Sequence, residues 1–126
     1  MRVIDYKTGR DDLDFRDVSS LFSRTGKINK AAFQTLMYAL LYVKNNPGHS
    51  KVVPGLMNRK NLFDSEFNFG LLMDKKPLTD AVPLLPEFEM QLQALVNEIF
   101  DPAQVFDQTT HADVCKICAY SSICYR

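Results

Sequence analysis

A run of β-forming residues, Arg2-Val3-Ile4-Asp5-Tyr6-Lys7, opens the chain, and the turn signal Thr8-Gly9-Arg10 closes it. A central strand normally has neighbours on both sides, so one that begins at the second residue must find them downstream, in further sequence or in a second copy. Residues 11–30 are polar and interrupted, with Phe15, Val18, Leu21 and Phe22 spaced for a short amphipathic helix. Asn29 is the expected N-cap of a helix from Lys30 to about Lys44, rich in good helix formers and apolar almost all round, which predicts burial on more than one side. Asn46-Pro47-Gly48 ends it. Lys51 to Met57 is expected to form a second strand, with Pro54 marking an edge or an irregularity, and Phe67 to Met73 a third, paired with it as a hairpin. A second helix is expected from about Glu87 to Phe100, with Phe88, Leu92, Leu95, Val96 and Ile99 on one face, before Asp101-Pro102 stops it. The order predicts an α/β fold, a small mixed β-sheet flanked by helices.

With 126 residues the chain fits one domain, and 46% hydrophobic with 24% charged residues is ordinary globular composition. No apolar run approaches the roughly 20 residues that span a bilayer, and Asp5 falls where a signal peptide needs apolar residues. A cytoplasmic chain with no membrane contact is the expectation. The formal net charge is zero, from fifteen basic and fifteen acidic side chains, so the composition gives no self-sufficient nucleic-acid binder. Local basic sets, Arg24, Lys27 and Lys30, then Lys51, Arg59 and Lys60, read as solvated loop charges.

Three groups carry chemistry. On a strand, side chains alternate, so Asp5 and Lys7 project from one side and Tyr6 from the other. A carboxylate beside an ammonium on a rigid strand suits a hard divalent cation, or is simply a surface ion pair. Gln34 and Tyr38, four apart, share a helix face. Cys115, Cys118 and Cys124 are the only cysteines, spaced Cys-x2-Cys-x5-Cys. An odd cluster does not make a disulfide framework, and three thiolates are one short of the four a [4Fe–4S] cluster or a structural zinc usually takes. His111 is a candidate fourth ligand for zinc; free buried thiols are the alternative.

Taken in order, these motifs resemble one family. Arg2-Val3-Ile4-Asp5-Tyr6-Lys7-Thr8-Gly9 is similar to the third motif of the RecB-like PD-(D/E)XK nucleases, a hydrophobic stretch followed by Asp-Tyr-Lys-Thr-Gly. Ala32-Phe33-Gln34-Thr35-Leu36-Met37-Tyr38 resembles their Gln-x3-Tyr helix, and the tail from Val105 through Cys115, Cys118 and Cys124 resembles the C-terminal part of an AddB-type iron–sulfur staple.

The resemblance implies a partial restriction-endonuclease-like core over residues 1–104 and a cysteine-bearing tail, an incomplete staple, over 105–126. It makes Asp5 a ligand of Mg²⁺ or Mn²⁺ and the Tyr6 carbonyl a further ligand. Lys7 becomes the catalytic lysine, Gln34 and Tyr38 line the active-site side of the helix, and Cys115, Cys118 and Cys124 hold the cluster. The implied activity is metal-dependent DNA exonuclease chemistry, within a helicase–nuclease that processes double-strand breaks beside a partner subunit. The family's other metal-binding Asp, its more N-terminal acidic or histidine motif and the fourth cluster cysteine all fall upstream of a motif that here starts at the second residue. The chain is therefore expected to be part of a longer nuclease and to cut DNA negligibly alone, with a swapped homodimer as one way of covering the first strand. The remaining alternatives are a non-catalytic interaction or scaffold module keeping the nuclease fold, and a small zinc-binding domain.

Overall fold

The computed structural model describes residues 1–9, 11–24, 28–65, 67–105, 107–110, 112–116 and 118–125, without the Asn61 side chain. Arg10, Lys27, Phe106, His111, Ile117 and Arg126, which the sequence motifs include, lie outside the described residues. The chain divides into two compact units, Met1–Leu95 and Val96–Arg126.

In the first unit, strand β1 (Arg2–Lys7) pairs in parallel with β3 (Val53–Asn58), with Asp5 opposite Leu56 and Lys7 opposite Asn58. Parallel neighbours need a crossover, and helix α1 (Lys30–Asn45) supplies it. The polar stretch between β1 and α1 yields β2 (Asp14–Phe15) and one 3-10 turn (Ser19–Leu21) rather than the expected amphipathic helix. Its apolar residues still do the expected burying, since Phe15, Val18 and Leu21 are in the core. Asp17 accepts from the Ser20 backbone N–H at 2.7 Å, and that bond, helped by Arg16, holds its carboxyl below the usual range.

Helix α1 begins as its sequence requires. The Asn29 carboxamide oxygen accepts from Ala32 N–H at 2.9 Å, while its amide donates to the Asp12 and Asp14 carbonyls at 2.8 and 2.9 Å. One side chain thus caps the helix and ties down the chain before it. Ala31, Ala32, Thr35, Leu36, Ala39 and Leu40 are buried. Small alanines let the helix approach the sheet closely. The burial is not all-round: Tyr38 and Leu41 are 38% and 52% exposed, so the stripe carrying Gln34 and Tyr38 stays open on one side.

The expected hairpin between residues 51–57 and 67–73 is replaced by something less regular. Segment Phe69–Leu71 touches β3 through an antiparallel bridge between Gly55 and Gly70, with Leu56 N–H bonded to the Phe69 carbonyl at 2.7 Å. Leu72–Met73 then forms β4, parallel to β2 and antiparallel to β5 (Lys76–Pro77). The reason is steric and local. A Cβ at Gly55 would stand 2.5 Å from the Phe69 ring and 2.6 Å from its carbonyl oxygen, so the chains meet closely at one point only. Pro54 sits beside this point; lacking an N–H, it only accepts, from Leu71 at 3.2 Å. The turn into β5 places Asp74 and Lys75 at φ 50° and 61°, the left-handed pair a tight two-residue hairpin demands.

Helix α2 spans Leu85–Ile99. Leu85 and Phe88 are buried, and Phe88 packs with Phe22 and Phe33 at ring separations of 5.2 and 5.3 Å. The apolar face expected over the whole helix is realised only in its first half; Val96 and Ile99 are 42% and 59% exposed. In the second unit, the tail expected to be irregular contains a short helix α3 (Ala112–Cys115) and a 3-10 turn (Ser121–Cys124). No described helix is long and apolar enough to cross a membrane.

Two stability measurements check this construction. Gly55→Ala should lower the urea midpoint by the equivalent of about 1–3 kcal/mol, because Phe69 is anchored through its backbone and cannot retreat freely. Asn29→Ala should cost about 2 kcal/mol, and Asn29→Asp less, since the aspartate retains the cap while losing the two donated bonds.

Candidate active site

The four side chains singled out by the strand and helix motifs come together on one face of the β1–β3 pair. Alternation puts Val3, Asp5 and Lys7 on the side covered by α1, and Tyr6, 72% exposed, on the other. Lys7 Nζ lies 2.9 Å from Asp5 Oδ2 and donates to Gln34 Oε1; Gln34 Nε2 in turn donates to the Tyr38 hydroxyl oxygen. The polarity of this relay is forced. An ammonium is donor-only, so the Gln34 oxygen must face Lys7 and its nitrogen must face Tyr38.

This is not a surface ion pair. The side chains of Asp5 and Lys7 are only 14% and 23% exposed, which removes much of the solvent screening that weakens exposed pairs. Asp5 Oδ2 is buried without a hydrogen bond, because the nearby ammonium lies outside hydrogen-bonding geometry. The positive charge that a desolvated carboxylate oxygen requires is supplied by the Lys7 ammonium, 2.9 Å from that same oxygen. The Tyr6 carbonyl is close by in sequence but aimed elsewhere. Val53 N–H bonds the Met1 carbonyl, so odd-numbered residues of β1 turn their backbone groups toward β3, and Tyr6 turns its own toward the opposite edge.

As a fit to a hard divalent ion, this arrangement offers one carboxylate, paired to the Lys7 ammonium, which suits an ion that binds through few protein ligands and keeps its waters. Among the described residues no group of three or more His, Cys, Asp or Glu forms a metal site. The cysteines belong to the second unit. None is buried: Cys115 and Cys124 are half-exposed and Cys118 is exposed, against the reading of buried free thiols. Locally, Cys118 N–H bonds the Cys115 carbonyl at 3.2 Å and Tyr120 N–H reaches the Cys118 sulfur at 3.4 Å.

A cleft of about 550 Å³ lies elsewhere, lined by Asp11, Asp12, Asp14, Asn29 and Asp74 among others. None of Asp5, Lys7, Gln34 or Tyr38 lines it; Arg16 and Lys30 in its walls offset part of the charge of its four aspartates.

A model of the PD-(D/E)XK nuclease superfamily matches residues 1–125. The chain belongs to that superfamily. No curated relative and no solved structure matches it. The small mixed sheets flanked by helices are those of a restriction-endonuclease-like PD-(D/E)XK domain, a nuclease fold whose members generally use Mg²⁺ or a similar divalent ion.

Two supporting residues escaped the sequence reading. Asn58, 3% exposed and opposite Lys7, accepts from the Asp11 N–H at 3.3 Å and donates to the Asp11 carbonyl at 3.0 Å, fixing the strap that leaves β1. Asp80 accepts from the Val52 and Val82 N–H groups, both at 3.1 Å, and anchors the entry to β3. No spacing signal marks either, because each partner is more than a turn away in sequence or belongs to a loop. The relay itself is checked by a double-mutant cycle. Lys7→Met and Gln34→Leu, singly and together, should give a coupling of about 1–2 kcal/mol in urea unfolding, as for a hydrogen bond to a charged group.

Proposed function

We propose that this chain is the motif-bearing part of a DNA exonuclease domain of the RecB/AddB type, working within a cytoplasmic helicase–nuclease that processes double-strand breaks beside a partner subunit. The observation that carries the reading is the Lys7 ammonium held between the Asp5 carboxylate and the Gln34 amide. Asp5 would hold Mg²⁺ or Mn²⁺ through its carboxylate; a bound ion acidifies a water and offsets charge on the phosphate. Lys7 keeps a preorganised positive charge where negative charge develops on the phosphodiester. Gln34 fixes the direction of the ammonium, and Tyr38 holds the amide of Gln34 in the orientation that does so.

Within this reading residues 1–104 are nuclease core and 105–126 a staple. Cys115, Cys118 and Cys124 would be three ligands of a [4Fe–4S] cluster, zinc being the alternative. What supports this is the Cys-x2-Cys-x5-Cys spacing and the Tyr120 backbone N–H directed at the Cys118 sulfur at 3.4 Å. A complete site of the family adds a second carboxylate to the one on this strand, and a single carboxylate holds Mg²⁺ weakly.

The expected outcome is therefore background cleavage of linear DNA by the chain alone in Mg²⁺ or Mn²⁺. Weak Mn²⁺ binding, followed by electron paramagnetic resonance, should be present and be lost in Asp5→Asn. Within a protein that supplies the second carboxylate, Lys7→Ala should cut the cleavage rate by about 10²–10³. Robust cleavage that survives Lys7→Ala, or Mn²⁺ binding indifferent to Asp5, would refute the assignment.

A further inference from the structure

The turn that follows β3 carries two charges and a ring that the relay does not use. Arg59 and Lys60 occupy a single 3-10 turn (Arg59–Asn61) directly after Asn58, the residue opposite Lys7 in the parallel register. Both are exposed and neither is paired to an acidic group among the described residues. Three residues on, Phe63 is 96% exposed, and Leu62 beside it 38%. A nearly fully solvated phenylalanine gains nothing from folding. The loop is nevertheless not loosely attached. At its start Asn58 is buried and bonded to both backbone groups of Asp11, and at its end Phe69 is bonded to Leu56 and packed on Gly55. The two anchored bases bring an exposed ring and two free cations to the same end of the β1–β3 pair as Lys7. Asp64, exposed next to Phe63, and Glu66 in the same loop sequence balance the two cations over residues 59–68, so the positive charge is confined to the Arg59–Lys60 turn itself.

We infer that this turn is a contact for single-stranded DNA: Arg59 and Lys60 pair with backbone phosphates, and the Phe63 ring stacks on an unpaired base of the strand entering the Lys7 site. The inference rests on the nuclease reading for the identity of the polymer. Charge complementarity selects a polyanion, and an exposed ring selects one with accessible base faces. A duplex keeps its base faces stacked inside and offers the ring nothing, whereas every unpaired base presents a π-face. The absence of any net positive charge on the chain makes this local pairing of cations and ring the more consequential for recognition.

The test is fluorescence anisotropy of the full chain with labelled oligo(dT) and with a blunt duplex of equal length, in EDTA so that neither metal nor cleavage enters. Phe63→Ala should weaken oligo(dT) binding about tenfold, the loss expected when one stacked base is given up, and leave duplex binding essentially unchanged. Arg59→Ala with Lys60→Ala should weaken both ligands and, for oligo(dT), reduce the slope of log affinity against log salt by about 1.4, two phosphate contacts at roughly 0.7 each. All three positions are exposed, so the melting temperature should not move, and a circular dichroism melt confirms that the variants fold. An equal Phe63→Ala loss on both ligands, no loss on either, or no oligo(dT) binding by the unaltered chain each overturns the inference. These outcomes are independent of Lys7→Ala and Asp5→Asn, so the binding turn and the proposed chemistry fail separately.

Discussion

The parallel ladder between β1 and β3, roofed by α1, is the constraint on which the rest depends. Parallel strands cannot be joined by a tight turn, so the chain must travel through a helix before the second strand is laid down. That helix then has no choice but to cover one face of the pair. Because side chains on a strand alternate, covering one face takes Asp5 and Lys7 out of water together and leaves Tyr6 outside. A carboxylate and an ammonium brought into a partly desolvated space interact far more strongly than at the surface, and they require partners of fixed geometry. Gln34 provides one for the ammonium. The carboxylate is paired by the same ammonium at 2.9 Å.

That pairing links the fold to its chemistry. Asp5 and Lys7 share one ion pair and Gln34 fixes the ammonium, so a carboxylate and a directed positive charge stand side by side. Membership of the PD-(D/E)XK superfamily gives the pair a chemical context, since these nucleases generally work with divalent ions. The cleft elsewhere illustrates the contrast. It gathers Asp11, Asp12, Asp14 and Asp74 with Arg16 and Lys30, but none of the four relay residues. The supporting bonds reach far along the chain: Asn29 and Asn58 each bind backbone on a distant segment, and Asn58 does so from the position paired with Lys7 in the ladder.

Much of this was legible in the residues themselves. The opening strand has its expected limits, because an uninterrupted β-forming run followed by Thr-Gly leaves little choice. The start of α1 was legible for the same reason: an Asn immediately before a run of helix formers is a cap whatever surrounds it. Local geometry also put Asp5 with Lys7 and Gln34 with Tyr38, as strand and helix periods each relate near neighbours. What neither period can say is that the two pairs meet. The contact between Lys7 and Gln34 spans 27 positions and exists only because α1 lies across β1 at one depth and rotation.

The misreadings have a common origin. The hairpin expected between residues 51–57 and 67–73 contracts to one bridge, because the close approach at Gly55 is governed by where Phe69 falls, not by the β-propensity of either segment. The turn at Asp74-Lys75 carries no glycine, so its left-handed backbone is imposed by bonds from Lys75 N–H to Asp14 and from Asp74 N–H to the Phe15 carbonyl. Sequence alone therefore determined the opening strand, the two long helices and which side chains share a face within each, since those follow from bonds between near neighbours. Tertiary structure decided which faces are buried, which strands pair and which charged groups confront one another. Those outcomes depend on contacts between distant residues, whose energies no local pattern encodes.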